Sequence, residues 1–487
     1  MKVALITSRT AAPLIEEIIA SRVKGDPNVS AQIIVLPIPA IGMLDADKLK
    51  RLIDRHRKAV KDADIILVPG TIEGDVSPIA DELGKPVYKA SRDPGLLPLV
   101  ISHIAAGSRL DTLKPAEEVL DVKPPEIEPD RTAFDVGGVR VPSRGPPLVL
   151  AAEIPPDTEN YVEVAERYVE EGASLLILGA SSKTNDLAVR IRRVSNRVNV
   201  PVLSEAPTPR MAREAIRAGA LGISISAAKG RSFLDSVERD SVVILGERDV
   251  RLLAKAVELY RRRGFEKLIV DPVVGLPLID YSSTSNRYNA AYRLDAPMLF
   301  SAANVATVLD ADTHGVYALL AAMAVELRAS VFLVVEDSYK TIHSVAEARE
   351  ALKLSYAAWS RRSQPHMLGS RLLVVKQLEP PPKPTIPVEG ARLVDKWIAP
   401  AMDKGYFRIE VDHERGMILV EYRQGRRIAR FASRKARILA RAITREIDLT
   451  PEHAAYLGEE LAKAELALRT GRTYIQDSEI MRMVWED

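Results

Sequence analysis

Between residues 148 and 359, short apolar runs alternate with longer stretches in which apolar residues recur at helical spacing. Strands that are apolar on both faces are typical of a parallel sheet covered by helices. Eight strand–crossover units in about 220 residues predict a (β/α)8 TIM barrel; a doubly wound open sheet is the alternative, although no glycine fingerprint supports it. The predicted strands are Leu148–Glu153, Ser174–Leu178, Val200–Glu205, Gly222–Ser226, Val242–Leu245, Lys267–Asp271, Pro297–Phe300 and Val331–Glu336.

Nearly all of the crossovers between these strands have helical patterns, and only the fourth, Ala227–Asp240, looks short. The segment Pro297–Asp337 shows the alternation most clearly, because a nearly all-apolar helix joins two apolar strands there. The predicted helices are Tyr161–Glu171, Asp186–Val194, Arg210–Ala218, Asp249–Arg263, Ser285–Arg293, Gly315–Arg328 and Ser344–Trp359.

Residues 1–120 predict a small N-terminal α/β domain. Its loop PGTIEGD, from Pro69 to Asp75, either is a tight strand-to-helix connection or binds a small anion, and it matches no nucleotide-binding motif. The predicted strands are Val3–Thr7, Gln32–Pro37 and Ile65–Pro69, and the predicted helices are Ala12–Ser21 and Asp45–Lys61.

Proline-rich segments divide the rest of the chain. Residues 121–147 predict a linker with one short hairpin, FDVGGVRV; residues 148–378 form the barrel; and residues 379–390 are a stiff second linker. Residues 391–487 predict a C-terminal α+β domain. Its predicted elements are a helix or turn near Val394–Ile398, the strands Tyr406–Val411 and Met417–Tyr422, and the helices Ser433–Arg445 and Pro451–Arg469.

The amino-acid composition excludes several kinds of site and classes of partner. The 487 residues contain no cysteine, which excludes disulfides, thiolate metal sites and cysteine nucleophiles. The net charge is only +2, which argues against a large nucleic-acid face. No apolar run approaches the ~18–20 residues of a membrane span, and the start of the chain lacks a secretion signal. We therefore expect a cytoplasmic protein that binds neither membrane nor nucleic acid.

Several motifs carry a family resemblance: GASLLILGASS, VPVLSEAPTPRMAREAIRAGALGISI, KLIVDPVVG and the loop pattern NVxxxxDAD. They resemble the pterin-binding barrels, the superfamily of dihydropteroate synthase and the methyltetrahydrofolate-type methyltransferases. The three-part layout is similar to that of archaeal dihydropteroate-synthase-related proteins. The C-terminal motifs HAAYLGEELAKAELAL and YIQD resemble a domain of that group that is also attached to corrinoid methyltransferase-subunit-like proteins.

This resemblance implies roles for individual residues. Asp271, in the Asp-Pro loop with Gly275, would accept hydrogen bonds from a pterin ring, since a carboxylate offers two acceptors to a donor-rich edge. Glu205 stands where the synthases have an aspartate. Asn304 resembles the methyltransferase asparagine held near the reactive pterin nitrogen. Asp271 and Asn304 are thus the catalytic candidates, and the substrate-binding candidates are Asp271, Glu205, Asn304, Glu153, Ser224, Gly275, Lys183 and Asn185.

The departures from the synthases are also informative. Glu153 and Ser224 replace two asparagines, and the Arg-x-His of the last strand is replaced by Val334–Glu336. We expect Glu336 to place negative charge where a synthase binds its anionic leaving group, which argues against ordinary dihydropteroate synthesis.

Asp310, Asp312 and His314 raise the alternatives of a helix cap, a ligand contact or a metal site, and no metal is predicted because one loop supplies too few convergent ligands. The resemblance implies a group-transfer enzyme of archaeal folate- or methanopterin-type pterin or one-carbon metabolism, with a reduced pterin as ligand or substrate and a corrinoid protein as a candidate partner. Methyl or one-carbon transfer and C–N bond formation both remain open as the reaction, and a homodimer is a candidate assembly. The alternative is a catalytically inactive pterin-binding scaffold or sensor.

Overall fold

The computed structural model describes residues 1–22, 29–39, 41, 44–92, 94–120, 128–365, 372–376, 392, 394 and 405–481. It divides into two compact units, Met1–Glu379 and Pro380–Asp487. The second linker, 379–390, lies outside the described residues, as does the predicted helix or turn near Val394–Ile398 apart from Val394 itself.

The first unit begins with a four-stranded parallel sheet in the order β2-β1-β3-β4. Strand β4 was not predicted, because it has only three residues and ends in Lys89. Helix α2 starts where the sequence predicts, since the Asp45 carboxylate accepts a hydrogen bond from the Lys48 amide at 2.8 Å, but it ends at Arg55 and not at Lys61. The elements are β1 (Lys2–Ser8), α1 (Ala12–Arg22), β2 (Ser30–Leu36), α2 (Ala46–Arg55), β3 (Ile65–Val68), α3 (Ser77–Leu83), β4 (Val87–Lys89), α4 (Leu97–Ala105) and α5 (Ala116–Val119).

The same unit continues with a hairpin and eight strand–crossover repeats. The hairpin strands are β5 (Thr132–Val136) and β6 (Val139–Pro142). The barrel strands are β7 (Val149–Ile154), β8 (Leu175–Leu178), β9 (Val202–Glu205), β10 (Gly222–Ser226), β11 (Val242–Gly246), β12 (Leu268–Asp271), β13 (Leu299–Ser301) and β14 (Val331–Val335). The helices are α6 (Tyr161–Glu171), α7 (Leu187–Ser195), α8 (Pro209–Arg217), α9 (Val250–Arg262), α10 (Thr284–Ala291), α11 (Ala303–Ala306), α12 (Thr313–Glu326) and α13 (Ser344–Arg361).

The eight strands form one parallel sheet in the order β12-β11-β10-β9-β8-β7-β14-β13. A single bridge between Val270 and Met298 joins the two end strands, and the Val270 amide donates to the Pro297 carbonyl at 2.9 Å. The sheet therefore closes on itself. The predicted barrel is confirmed, and the open-sheet alternative is wrong.

Successive side chains of each barrel strand face opposite sides, which builds two layers of core. Ala151, Leu203 and Ile269 belong to a cluster in the lumen, whereas their neighbours pack under the helices. Val136 and Val141 of the β5–β6 hairpin join the lumen cluster. The hairpin therefore closes the amino-terminal end of the barrel, so that a ligand can enter only at the carboxyl ends of the strands.

The second unit has an antiparallel sheet in the order β15-β16-β17, with two helices against it. Its third strand was not predicted, because Arg427 and Arg430, three residues apart, interrupt the alternation of RIARFAS and make it resemble a polar loop. Helix α15 starts as predicted, since the Thr450 hydroxyl accepts from the His453 amide at 3.2 Å. The elements are β15 (Tyr406–Asp412), β16 (Met417–Gln424), β17 (Arg427–Ser433), α14 (Ala436–Glu446) and α15 (Pro451–Thr470).

In the part of the chain that the structure describes, no helix is both long and apolar enough to cross a membrane.

Candidate functional site

The mouth of the barrel is lined by carboxylates from three strands. Ala151, Leu203 and Ile269 face the lumen, and Glu153, Glu205 and Asp271 lie two residues further along the same strands. Because side chains alternate with a period of two, these carboxylates face the lumen at its carboxyl end. The structure thus brings together three of the residues that the sequence singled out.

Ser224 lies next to Glu205, since the two residues are paired across β10 and β9. A cavity of about 370 Å³ opens beside them, and Gly246 of β11 and Val273 of the loop after β12 also line it. Gly246 pairs with Asp271, and a Cβ atom built on this glycine would lie 3.8 Å from Asp271 Oδ2. Residue 246 therefore places no side chain against that carboxylate oxygen.

The mouth disfavours ionised carboxylates. Burial, together with the negative charges of Glu205 and Asp337, raises the pKa of Glu153 to about 7. Burial raises the pKa of Asp271 to about 6, although the Val273 amide and the Arg287 guanidinium act in the opposite direction. Burial also raises the pKa of Glu205, against a hydrogen bond from the Ala180 amide. With a pKa of about 7, Glu153 can both hold and release a proton near neutral pH.

The loop after β12, Asp271–Gly275, is held by several side chains. Asp271 Oδ1 accepts from the Val273 amide at 2.8 Å, and Arg287 of α10 donates through Nη2 to the Val273 carbonyl at 2.9 Å. Val273 has φ of +60°, a strained conformation for a β-branched residue. Gly275 has no room for a side chain, since a Cβ atom would lie 2.4 Å from the Asp280 carbonyl oxygen. The loop is therefore built for one conformation.

Asn304 contacts the same loop from α11, the short helix that follows β13. Its side-chain amide donates to the Val274 carbonyl at 3.1 Å, and its oxygen accepts from the Ser301 hydroxyl at 3.2 Å. The amide thus ties the end of β13 to the Asp-Pro loop.

Lys183 and Asn185 lie apart from this group. Both are exposed in the loop after β8, which is organised by hydrogen bonds between Ser181 and Thr184.

The prediction that Glu336 lies in the barrel mouth, where a synthase binds its anionic leaving group, is wrong. Val334 belongs to the outer core and Leu333 to the lumen, so Glu336 faces outward with Val334. Its carboxylate forms an ion pair with Arg167 of α6 at 2.6 Å, and only 4% of its side chain is exposed. Glu336 therefore does not place negative charge in the mouth.

Asp310, Asp312 and His314, for which a metal site was one alternative, do not converge on one point. Lys340 donates to the Asp310 carboxylate at 3.3 Å, and His314 faces Glu347 at 3.3 Å. Asp312 occupies the N-cap position of α12 but accepts no capping hydrogen bond. Within the described residues, no group of three or more histidine, cysteine or carboxylate side chains could hold a metal ion.

Two residues of the mouth were not predicted. Lys229 and Phe233 line the cavity from a 3-10 helix, Ala227–Ser236, which forms the crossover after β10. In the sequence this crossover looks short, and that was the one signal that it differs from the other crossovers.

The family model described as PterinBD-DUF4346 matches residues 402–477, which lie in the second unit. The uncharacterized protein MJ0107 of Methanocaldococcus jannaschii is 26% identical over 480 residues, with 89% of this chain and 90% of that protein covered.

Solved dihydropteroate synthases align with part of the chain. The Yersinia pestis enzyme is 16% identical, with a TM-score of 0.38 and coverage of 46% of this chain and 96% of that one. The Thermus thermophilus enzyme, in complex with 4-aminobenzoate, is 20% identical, with a TM-score of 0.37 and coverage of 43% and 94%. By its closed parallel barrel and its matched C-terminal domain, the chain resembles the dihydropteroate-synthase-related proteins of the pterin-binding superfamily.

Proposed function

We propose that the chain binds a reduced pterin of the folate or methanopterin type at the barrel mouth and transfers a one-carbon group from it. The observation that carries this proposal is the convergence of Glu153, Glu205 and Asp271 on one opening. The description of the matching family, which refers to a pterin-binding domain, supports it.

Recognition would depend on Asp271. One of its oxygens is occupied by the Val273 amide, and the other lies beside Gly246, which has no side chain. A pterin presents a guanidine-like edge rich in N–H donors, which matches a carboxylate acceptor. Glu205, on the far side of Gly246, would bind a second donor of the ring.

Glu153 would donate a proton as the general acid. When a methyl group leaves a pterin nitrogen, the nitrogen–carbon bond breaks and its electron pair stays on nitrogen, which then takes up a proton. The acceptor supplies the electron pair of the new bond. A carboxyl group with a pKa of about 7 is suited to general acid catalysis at neutral pH.

Asn304 would act by positioning. Its amide already binds Val274 and Ser301, so it would hold the Asp-Pro loop and not contact the reacting nitrogen directly. This differs from the role that the resemblance implied.

Methyl transfer is favoured over synthesis with a pyrophosphate leaving group. Glu336 no longer bears on this choice, but Glu153, Glu205 and Asp271 still face the mouth, and Lys229 is the cation among the described residues that line the cavity. Those of the three carboxylates that are ionised would repel an anionic leaving group. We further propose a cytoplasmic, homodimeric protein whose acceptor is a corrinoid protein.

A scaffold that binds pterin without catalysis is the second candidate, because the engaged amide of Asn304 leaves one fewer group to act on the ligand. Incubation with 5-methyltetrahydrofolate labelled with ¹³C in the methyl group, and with a reduced corrinoid, separates the two. Transfer of the label to cobalt supports the enzyme. Binding of the labelled pterin without transfer supports the scaffold, and absence of binding contradicts both.

A further inference from the structure

The N-terminal sheet has a topological switch point between β1 and β3. After β1 the chain passes to one face of the sheet, where Ile15 and Ile19 of α1 belong to one core cluster. After β3 it passes to the other face, where Ile79 of α3 belongs to another. In open parallel sheets, ligands bind outside the carboxyl ends of the strands at such a point.

A cavity of about 330 Å³ lies at this position. Residues at the ends of three strands line it, namely Thr7, Thr71, Ser91 and Arg92, and Thr10 and Ala11, directly before α1, complete the rim. Its volume falls within the range of about 300–1,000 Å³ that is usual for ligand sites. Gly70 keeps two of these loops in contact, because a Cβ atom there would lie 2.5 Å from the Ala90 carbonyl oxygen.

Thr7 is the observation that points to a ligand. The residue is fully buried and lines the cavity, yet its hydroxyl has no hydrogen-bond partner among the described residues. An unpaired buried hydroxyl is costly and uncommon in native proteins. A bound molecule with a polar group at this point would satisfy it.

The remaining lining indicates the character of that molecule. Leu5, Ile15, Leu67 and Leu97 give the cavity an apolar floor. The described lining residues include one cation, Arg92, and no carboxylate. Glu118 at 2.9 Å and Glu117 at 4.0 Å pair with Arg92 without lining the cavity. The amino terminus of the 11-residue helix α1 adds a partial positive charge at the rim.

We propose that this cavity is a second small-molecule site, separate from the barrel mouth, and that it binds a compact organic anion. The ligand has an apolar body, which packs on the leucine and isoleucine floor, and one carboxylate or phosphate group, which pairs with Thr7 Oγ1, the start of α1 and Arg92. The loop Gly70–Asp75, left open between a tight turn and an anion site by the sequence, contributes Thr71 to this wall.

The test is a titration of the full-length protein with benzoate, phenyl phosphate and the neutral benzamide, followed by ligand-observed NMR. At least one of the two anions is expected to bind saturably and more tightly than benzamide. Thr7→Val is nearly isosteric and removes the unpaired hydroxyl, so its melting temperature should equal or exceed that of the wild type. Its affinity for the bound anion should fall by about five- to tenfold.

Arg92→Gln should weaken the bound anion while leaving benzamide unchanged, and Thr132→Val, in the β5–β6 hairpin, should change neither. Binding of benzoate but not phenyl phosphate assigns a carboxylate ligand, and the reverse assigns a phosphate. Absence of saturable binding by either anion, equal affinity for benzamide, or unaltered affinity in both Thr7→Val and Arg92→Gln would overturn the proposal.

Discussion

The side-chain amide of Asn304 donates a hydrogen bond to the carbonyl oxygen of Val274 at 3.1 Å. This bond joins the end of strand β13 to the Asp-Pro loop that follows β12, and the loop carries Asp271. The conformation of the loop after β12 therefore depends on Asn304, which follows the neighbouring strand β13. Such contacts between neighbouring strand ends fix the groups of a barrel rim, although these groups lie far apart in sequence.

Replacing Asn304 by alanine should loosen this loop. The change leaves the Val274 carbonyl without its partner, so the free energy of unfolding should fall by about 1–3 kcal/mol. Amide hydrogen exchange at Val273 and Gly275 should become faster. The exposed Asn185→Ala is the matched control and should alter neither quantity. Unchanged exchange at Val273 in Asn304→Ala would show that the bond does not hold the loop.

Glu153 should make stability depend on pH. Its pKa is raised from 4.5 to about 7 in the folded protein, so folding disfavours the ionised form. The unfolded chain gives up this proton first as pH rises, and stability is lost between about pH 4.5 and 7. Glu153→Gln removes the penalty. Its gain in unfolding free energy should be near zero at pH 4 and roughly 1–3 kcal/mol at pH 8.

Chemical denaturation at a series of pH values measures this difference. Glu163→Gln, an exposed residue of α6, serves as the control and should show no pH-dependent gain. A gain for Glu153→Gln that is constant from pH 4 to 8 would mean that folding does not raise the pKa of Glu153.

The ion pair of Arg167 and Glu336 should matter for stability but not for ligand binding. Arg167→Met leaves the buried Glu336 without its counter-ion, and a loss of about 2–4 kcal/mol is expected. Adding Glu336→Gln to that variant should restore part of the loss. Pterin affinity measured by calorimetry should stay within about twofold in Glu336→Gln. A tenfold change would place Glu336 in the mouth after all.

Much of the barrel could be predicted, because eight apolar runs separated by helical patterns admit few other folds. The family resemblance singled out Glu153, Glu205 and Asp271. Their predicted positions at strand ends agree with a shared site, because in a closed parallel barrel the strand ends meet at one rim.

The sequence could not predict whether the side chain of Glu336 points into the lumen or outward. Strands buried on both faces carry no alternation of polar and apolar residues, so the sequence does not show whether Val335 or Glu336 faces the lumen. Only the placement of Leu333 in the lumen and Val334 under the helices resolves it. The same limit applies to Lys229 and Phe233, whose positions depend on a 3-10 crossover without a regular period.

The central claim is that acidic side chains of the mouth hold a reduced pterin, and isothermal titration calorimetry with tetrahydropterin tests it most directly. The wild type should bind saturably, whereas Asp271→Asn and Glu205→Gln should each weaken binding at least about tenfold. Glu258→Gln, on the outer surface of α9, should bind as the wild type does. No binding by the wild type, or wild-type affinity in Asp271→Asn, would contradict the account.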